Sequence, residues 1–403
     1  MSSYLLVAVL PLAGLAAFYL ASFEASLRET VLANMTTIAD KKAEQIDSYM
    51  AERLADAKQL SQRQVIRNGL AALERAFHAD GLNSPAYRAA DQRLRDTLGT
   101  SYGAEGFYDL LLLDKAGNVV FSIAQEPDTG ASMRHSAYRD TQLAKGFDQA
   151  MQTLQAHLSP FALYPPSGNQ PAAFLVVPIL ENGMVAGTLA LQLDVSRLES
   201  VTADRTGLGR TGETVLVQKD GDDAVYTAPL RHVREAAYRY RKPLRETPLP
   251  MQKALSGDRG RDIIRDYAGI EGVAAWRYLP ALGWGMVVKI DTAEALAPAL
   301  QLRRITYLAL GFFLMLSGIA AYFLGRGLSR PIRSLTRVVD RIAAGDLSQR
   351  APQEKIDELN RLARAFNHMT DALADARYNL EAQVEARSQE LREISSLQDA
   401  ILD

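Results

Sequence analysis

Two uncharged apolar stretches, Tyr4 to Phe23 and Ile305 to Gly325, constrain this chain more than any other feature of its sequence. A helix needs about 20 apolar residues to cross the hydrocarbon core of a bilayer, and each stretch is long enough. The first stretch could instead be a secretory signal peptide, but it lacks a basic n-region and its apolar run is long for one. The sequence therefore predicts a membrane protein with two transmembrane helices, at 4–23 and 305–325.

Arginines around the second span indicate its orientation. Four follow the span, at positions 326, 330, 333 and 337, whereas two precede it, at positions 303 and 304. Because cytoplasmic flanks carry the excess of Lys and Arg, the C-terminal side is expected to be cytoplasmic. With two spans, residues 24–302 then lie outside the cytoplasm.

Composition argues against several classes of function. The 45 basic residues nearly balance the 47 acidic ones, so charge gives no reason to expect nucleic acid as a partner. The chain has no cysteine, which removes disulfides, thiolate metal ligands and cysteine nucleophiles. It also lacks an HExxH run and Cys/His metal spacings. We therefore expect no metal, no cofactor and no catalytic site within these residues.

Two apolar seams follow the second span. In each seam the apolar residues are three or four positions apart, which is typical of a parallel coiled coil. Neither short helix can bury its seam alone, so the pattern predicts a bundle formed between two protomers. The seam residues are Leu328, Ile332, Leu335, Val339 and Ile342 in the first helix, and Leu359, Leu362, Phe366, Met369 and Leu373 in the second.

These helices resemble a HAMP domain, the relay module of bacterial transmembrane receptors, over residues 326–378. One departure is Asn360, where the family usually has Gly. The resemblance implies a signal relay within a homodimer in the bacterial inner membrane. The motifs that carry it are Pro331 with Leu335, Gly345-Asp346-Leu347, Asp357-Glu358-Leu359, and Phe366-Asn367 with Met369. The relay residues it implies are Pro331, Leu335, Gly345, Glu358 and Phe366.

The region between the two spans has a helix followed by strands in an α+β pattern. A helix is predicted from Glu24 to about Phe77, and a helical, basic middle segment from His232 to Leu255. Hairpins before and after helical stretches predict two successive modules, each with an antiparallel sheet. The predicted strands are Asp109–Asp114, Val119–Ile123, Ala172–Leu180, Met184–Asp194, Glu213–Gln218, Ala224–Tyr226, Arg261–Tyr267, Gly272–Leu279 and Trp284–Ile290.

This region resembles the double Cache sensor domain, in which a long helix carries two PAS-like modules. The resemblance implies a membrane-distal module at about 78–200, a membrane-proximal module at about 206–291, and a small extracytoplasmic ligand. Members that bind amino acids use an Arg-x-Trp-Tyr group with a later Tyr and Asp. Here Tyr138, Tyr164 and Asp194 match, but the Arg and Trp do not, which argues against an amino-acid carboxylate. Arg139 and Asp140 offer other polar contacts, and the alternative is that all five residues are structural.

Two further motifs have a structural interpretation. The run Gly207–Gly212 spells GxGxxG, but a dinucleotide site needs a strand before it and a helix after it. Here a helix is predicted before it and a strand after it, so we interpret the run as a turn. His368 lies within the relay and lacks the sequence context of a kinase phosphoacceptor.

The helix continues beyond the relay as a predicted signalling coiled coil, 379–403, which the sequence suggests is truncated. Such helices join HAMP domains to output domains, and we expect a histidine kinase. The alternatives are a chemoreceptor of the methyl-accepting type, the input half of a diguanylate cyclase or phosphodiesterase, and a receptor that works through a partner kinase.

Overall fold

The computed structural model describes residues 2–99, 106–324, 326, 329–353 and 356–402; its side chains are described in these ranges except at 2–9, 324 and 393–402. The chain divides into two compact units, which we describe separately. One unit is Phe23–Ala299, and the other combines Met1–Ser22 with Leu300–Asp403.

Three helices come first along the chain: α1 (Ser2–Gln62), α2 (Gln64–Asp80) and α3 (Pro85–Leu98). The helix predicted from Glu24 to about Phe77 is present, but it is interrupted at Arg63, whose backbone is extended (φ −66°, ψ 135°). Neither glycine nor proline marks this position, so the usual sequence signal for a break is missing.

The first module contains seven strands and one helix. Five strands form an antiparallel sheet in the order β2-β1-β7-β6-β3, and β4 pairs with β5 in a separate ribbon. The two predicted hairpins are confirmed, and the second turns through Asn182 and Gly183, which both have positive φ. The elements are β1 (Phe107–Leu113), β2 (Val119–Ser122), α4 (Gln142–Thr153), β3 (His157–Leu158), β4 (Ala162–Tyr164), β5 (Gln170–Ala172), β6 (Phe174–Glu181) and β7 (Met184–Leu193).

The second module is an antiparallel sheet of six strands in the order β10-β9-β8-β13-β12-β11. The helix α5 (Val195–Ala203) connects the modules. The elements of the second module are β8 (Glu213–Asp220), β9 (Asp223–Tyr226), β10 (Arg241–Pro243), α6 (Leu249–Leu255), β11 (Gly260–Arg265), β12 (Glu271–Leu279), β13 (Trp284–Asp291) and α7 (Thr292–Ala295).

The helical segment predicted from His232 to Leu255 is wrong over most of its length. Only α6, at its end, is an α-helix. Before it, Glu235 and Tyr238 have positive φ, which an α-helix excludes. The Tyr238 amide donates a hydrogen bond of 2.7 Å to the carbonyl of Tyr226, so this segment pairs with the sheet instead of forming a helix.

The alternation of side chains along β1 shows how the sheet separates two layers of core. Leu110 and Leu112 belong to a cluster that includes α1, α2 and α3, whereas Leu111 and Leu113 belong to a cluster that includes α4. All four are fully or almost fully buried. Successive side chains of a strand point to opposite faces, so one leucine run supplies both layers.

The glycine-rich run Gly207–Gly212 is a turn between α5 and β8, which confirms the structural interpretation. The amides of Arg210 and Thr211 donate hydrogen bonds of 2.9 and 2.7 Å to the carboxylate of Glu294 in α7. The Thr211 hydroxyl donates a third, of 2.6 Å. A side chain of the chain itself therefore occupies the anion-binding turn.

The other unit contains the helices α8 (Ala297–Leu324), α9 (Arg330–Ala343) and α10 (Asp357–Leu402). Two helices, α1 and α8, are long and apolar enough to cross a membrane, within Leu10–Gln62 and Ala297–Phe323. Their large apolar side chains are exposed, among them Phe18 and Phe312. By length and composition, these two helices agree with the two spans expected from the sequence.

The connector between α9 and α10 begins where the sequence predicts a helix end. Gly345 has a φ of +100°, and Asp346 accepts a hydrogen bond of 3.1 Å from the Ser348 amide. Asn367 of α10 holds the connector through Ala351, since its side chain accepts from the Ala351 amide at 2.7 Å and donates to the carbonyl at 3.0 Å. Leu328 of the predicted seam lies outside the described residues.

Candidate ligand site in the first module

Two of the five predicted ligand residues pack against the same apolar cluster of the first module. Tyr164, at the end of β4, is a buried member of the cluster, and Tyr138 is half-buried and packs against it. The ring of Tyr164 contacts that of Phe174 edge-on, with the centroids 4.8 Å apart. The structure therefore places the two tyrosines on one side of the sheet, beside α4.

The other three predicted residues lie elsewhere. Arg139 and Asp140 are exposed and pair with each other at 3.5 Å. Asp194 is the N-cap of α5, where its side chain accepts a hydrogen bond of 2.9 Å from the Ser196 amide. A cap of this kind stabilises the helix start whether or not a ligand is present.

The polar group closest to Tyr164 is Asp128, which the sequence analysis missed. The Tyr164 hydroxyl donates a hydrogen bond of 2.5 Å to Oδ2 of Asp128. Asp128 is fully buried, and its Oδ1 has no hydrogen-bond partner among the described residues. Buried carboxylate oxygens are normally paired, so this atom can accept from a donor that no described residue supplies.

Two more carboxylates surround this pair. Asp109 of β1 is fully buried and accepts a hydrogen bond of 2.7 Å from the Ser122 hydroxyl. Glu126 is half-buried and accepts from the hydroxyls of Tyr108, at 3.0 Å, and Ser167, at 2.6 Å. Asp109 also accepts hydrogen bonds from the amides of Leu110, at 2.7 Å, and Ala124, at 2.9 Å. Neither Glu126 nor Asp128 forms an ion pair with a described residue.

Burial changes the protonation of this cluster. Burial raises the pKa of Asp128 to about 6, against the lowering effect of the Tyr164 hydrogen bond, and the charges of Asp109 and Glu126 raise it further. Burial also raises the pKa of Asp109 and of Tyr164. Negative charge in this cluster is therefore unfavourable, and a cationic group would stabilise the ionised carboxylates.

Two cavities flank α1 in the same unit. One of about 340 Å³ is lined by Tyr49 and Arg53 of α1 and by Arg197 of α5. Another of about 540 Å³ lies near the break at Arg63, between Lys58, Arg67 and the edge of β6. In the first cavity Arg53 pairs with Glu52, which also lines it, whereas the charged side chains on the wall of the second are basic.

The predicted relay residues occupy the ends and faces of α9 and α10. Pro331 lies in the first turn of α9, and Glu358 lies in the first turn of α10. Leu335 and Phe366 are half-buried within the single chain, whereas other seam residues are more exposed, including Ile332 (46%) and Leu362 (51%). The apolar seam is thus only partly covered by its own protomer.

Nothing in the sequence pattern singled out Asp109 and Asp128. Asp109 stands beside a run of leucines and was interpreted as the boundary of a strand. Asp128 stands in a polar segment after β2, where acidic residues are common. The one available signal is that Asp109 lies within the predicted strand among apolar residues, where a buried carboxylate is costly unless it is hydrogen-bonded.

Two modules with antiparallel sheets, carried by a long helix and followed by relay helices, define a sensor of the α+β class. The Cache domain family model matches residues 23–299, and the HAMP domain model matches residues 323–375. Since the first match covers more than half of the chain, the chain belongs to the Cache domain family, and a HAMP domain follows its Cache domain.

Curated relatives include both chemoreceptors and kinases. The methyl-accepting chemotaxis protein TlpQ of Pseudomonas aeruginosa is 34% identical over 103 residues, which are 22% of this chain and 14% of TlpQ. The sensor histidine kinase MtrB of Mycolicibacterium paratuberculosis is 29% identical over 201 residues, which are 48% of this chain and 34% of MtrB. The chain thus spans 14% and 34% of the lengths of these two relatives.

Among solved structures, the ligand-binding domain of the Pseudomonas fluorescens chemoreceptor CtaA in complex with L-isoleucine is similar. The TM-score is 0.46 and the identity 14%, over 68% of this chain and 97% of the CtaA domain.

Proposed function

We propose that this chain is the input part of a bacterial inner-membrane receptor that senses a small cationic ligand in its first Cache module. The two membrane-spanning segments would be 4–23 and 305–325, with residues 24–302 in the periplasm or outside the cell. The HAMP domain, 326–378, and the coiled coil from 379 onwards would lie in the cytoplasm.

The observation that carries the ligand class is the cluster of Asp109, Glu126 and Asp128. Glu126 and Asp128 accept hydrogen bonds from hydroxyl groups, and Asp109 accepts from a hydroxyl and two backbone amides. Oδ1 of the buried Asp128 has no described partner. An ammonium group would donate to Oδ1 and offset the negative charge of the cluster. A free carboxylate would instead add a like charge, which agrees with the missing arginine of the amino-acid motif.

The ligand reaches this site when the polypeptide around it opens, because Asp128 and Tyr164 are buried. Asp128 lies in the loop between β2 and α4, and Tyr164 lies in the short β4–β5 ribbon. Binding would close the loop and the ribbon onto the ligand. Tyr138 of the same loop would pack beside it, whereas Arg139, Asp140 and Asp194 lie away from the ligand.

The signal then passes through the HAMP domain in a homodimer. Exposed seam residues such as Ile332 and Leu362 would be covered by the second protomer. Ligand binding would favour one of two packings of the bundle, since packed interfaces tend to be bistable. Pro331 and Gly345 fix the start and end of α9, and Glu358 fixes the start of α10.

The recipient of the signal is proposed to be a cytoplasmic histidine kinase, on the same polypeptide or as a partner. The similarity to MtrB, named a sensor histidine kinase, supports this output. Chemotaxis is the second candidate, because TlpQ is a methyl-accepting chemotaxis protein. Phosphorylation of the native protein itself from ATP would support a kinase on the same polypeptide, whereas its methylation would support the chemotaxis output.

Ligand binding to the full chain in lipid nanodiscs tests the proposed sensor. The probes are putrescine and ethanolamine, with succinate and acetate as anionic counterparts, and the readout is calorimetry. We expect an amine to bind, and Asp128→Asn to weaken it by about 1.5–3 kcal/mol, about tenfold or more. Asp140→Asn, in the same loop but exposed, is the matched control. Binding of the anions alone, or equal amine affinity in both variants, would contradict the proposal.

A further inference from the structure

Glu74, His78 and Asp114 bring three potential metal ligands together on the first module, outside the proposed ligand site. Their ligand atoms all lie within 4.8 Å of one another. Glu74 and His78 are one helical turn apart on α2, so they share a face. Asp114 follows β1, and its Oδ2 is 2.9 Å from Nε2 of His78.

Asp114 is held rigidly by the turn that joins β1 to β2. Its Oδ1 accepts hydrogen bonds from the amides of Ala116, at 2.9 Å, and Asn118, at 2.8 Å. The Asn118 side chain donates to Oδ2 at 2.7 Å. Such outer contacts orient a carboxylate ligand and reduce the cost of ordering it when a metal binds.

The second module contains the same turn with a different charge opposite it. Asp266 accepts hydrogen bonds from the amides of Ala268 and Ile270, at 2.8 and 2.9 Å, as Asp114 does from the corresponding residues. The other oxygen of Asp266 is bound by the ammonium of the buried Lys289. A fixed cation therefore neutralises this turn in the second module.

In the first module, Oδ2 of Asp114 instead lies beside the imidazole of His78 and the carboxylate of Glu74. Among the described residues, His78 is the only basic side chain at ion-pair distance from Asp114. The two carboxylates give the group negative charge, which a divalent cation would neutralise. The His78 side chain is 52% exposed, so solvent can supply further ligands.

We propose that Glu74, His78 and Asp114 bind a divalent transition-metal cation, with Zn²⁺ as the representative ion. One imidazole nitrogen and two carboxylate oxygens suit zinc and its neighbours, while magnesium and calcium prefer oxygen alone. On binding, Nε2 uses its lone pair for the metal, so the remaining imidazole proton resides on Nδ1 and any second proton passes to solvent. Water completes the coordination. The bound ion links α2 to the β1–β2 turn.

The sequence carries no sign of this site, because its three residues come together only in the fold. Glu74 and His78 are adjacent on a helix, but Asp114 is 36 positions beyond His78, across α3 and β1. No spacing rule for metal motifs covers such a distance.

Zinc titration of the full chain tests the site. Protein prepared without a polyhistidine tag is treated with EDTA and dialysed. It is then titrated with ZnCl₂ at pH 7.5 in excess Mg²⁺, and calorimetry measures the binding. We expect one equivalent to bind, with affinity falling at least tenfold in Glu74→Gln and in His78→Gln. His135→Gln, an exposed histidine of the same module, is expected to bind as the wild type does.

Three results would overturn the proposal. One is that zinc does not bind, which would leave the His78–Asp114 contact as an ordinary hydrogen bond. Another is that both variants bind with unchanged affinity, which would place the zinc elsewhere. The third is that Mg²⁺ competes as well as Zn²⁺, which would exclude an imidazole ligand. Glu74 and His78 are partly or largely exposed, so these substitutions leave the core intact, and circular dichroism checks this.

Discussion

The Tyr164 hydroxyl donates a hydrogen bond of 2.5 Å to one oxygen of Asp128, while the other oxygen of this buried carboxylate has no described partner. The pair therefore combines one satisfied and one unsatisfied acceptor. This asymmetry makes the protonation of Asp128 sensitive to whatever approaches Oδ1, and it underlies the first two predictions.

Amine binding is expected to strengthen as the pH rises through 6. Burial raises the pKa of Asp128 to about 6, so the ionised fraction grows from about a tenth at pH 5 to about nine tenths at pH 7. If the ammonium requires the ionised form, affinity rises about tenfold over this interval. Calorimetry at pH 5, 6 and 7 measures it. Asp128→Asn is expected to show a flat profile, and a flat profile in the wild type would refute the role of Asp128.

The raised pKa of Asp128 also determines how the stability of the folded protein changes with pH. The folded state holds the Asp128 proton up to about pH 6, whereas the unfolded chain releases it near its ordinary pKa of 3.8. The contribution of this group to stability therefore declines as the pH rises from about 4 through 6, because the folded state then binds more protons than the unfolded one. Thermal unfolding of the ligand-free chain, compared with Asp128→Asn across this range, tests the direction.

Tyr164→Phe is expected to destabilise the first module at pH 7 by about 1.5–3 kcal/mol, the worth of a hydrogen bond to a charged group. The substitution keeps the ring against Phe174 and removes only the donor to Asp128. At pH 5 the loss should be smaller, because Asp128 is then mostly neutral. Tyr138→Phe is the matched control, and an equal loss in both variants would mean that the hydrogen bond contributes little.

Lys289→Met is expected to destabilise the second module by about 3–5 kcal/mol, since removing one partner leaves buried charges uncompensated. Lys289 is 1% exposed and lies near Asp266, Glu213 and Asp291. Lys219→Met, an exposed lysine of the same sheet, controls for the loss of charge. Denaturation of the full chain is the measurement, and a cost below about 1 kcal/mol would show that the network is not needed for stability.

Local patterns predicted the strands and turns better than they predicted the site. The hairpin at Asn182 and Gly183 follows from residues that accept positive φ, and the helix end at Gly345 follows for the same reason. The sequence predicts a helix after His232, but in the structure this segment pairs with Tyr226 of the sheet. No periodicity in the sequence reveals that partner. Propensity is overridden where tertiary hydrogen bonds are available.

The candidate site could not be predicted because its parts come from separate elements. Asp109, Asp128 and Tyr164 belong to a strand, a loop and a ribbon, and only the fold brings their oxygens together. The family resemblance points to Tyr164, which stays a prediction as a ligand residue, but not to its hydrogen-bond partner Asp128. The break at Arg63 is of the same kind, since nothing in the local sequence marks it.

Glu294→Gln is expected to loosen the turn between α5 and β8. The hydrogen bond from the Thr211 hydroxyl, followed by those from the Arg210 and Thr211 amides, lowers the pKa of Glu294 to about 2. A lowered pKa contributes stability above pH 4.5, and that contribution is lost as the pH falls towards 2. Hydrogen exchange of the Arg210 and Thr211 amides should be faster in Glu294→Gln at pH 7. Glu271→Gln, exposed on β12, serves as the control, and unchanged exchange would show that the turn holds without Glu294.

Cross-linking of single cysteines tests the HAMP dimer, and the chain suits the experiment because it has no cysteine of its own. Ile332 and Leu335 lie on the predicted seam of α9, whereas Arg333 is exposed on another face of the same helix. In membranes treated with a mild oxidant, Ile332→Cys and Leu335→Cys should form disulfide-linked dimers efficiently, and Arg333→Cys should form far fewer. If all three cross-link equally, random collision explains the dimers. If Arg333→Cys is the most efficient, the seam is placed on the wrong face of α9.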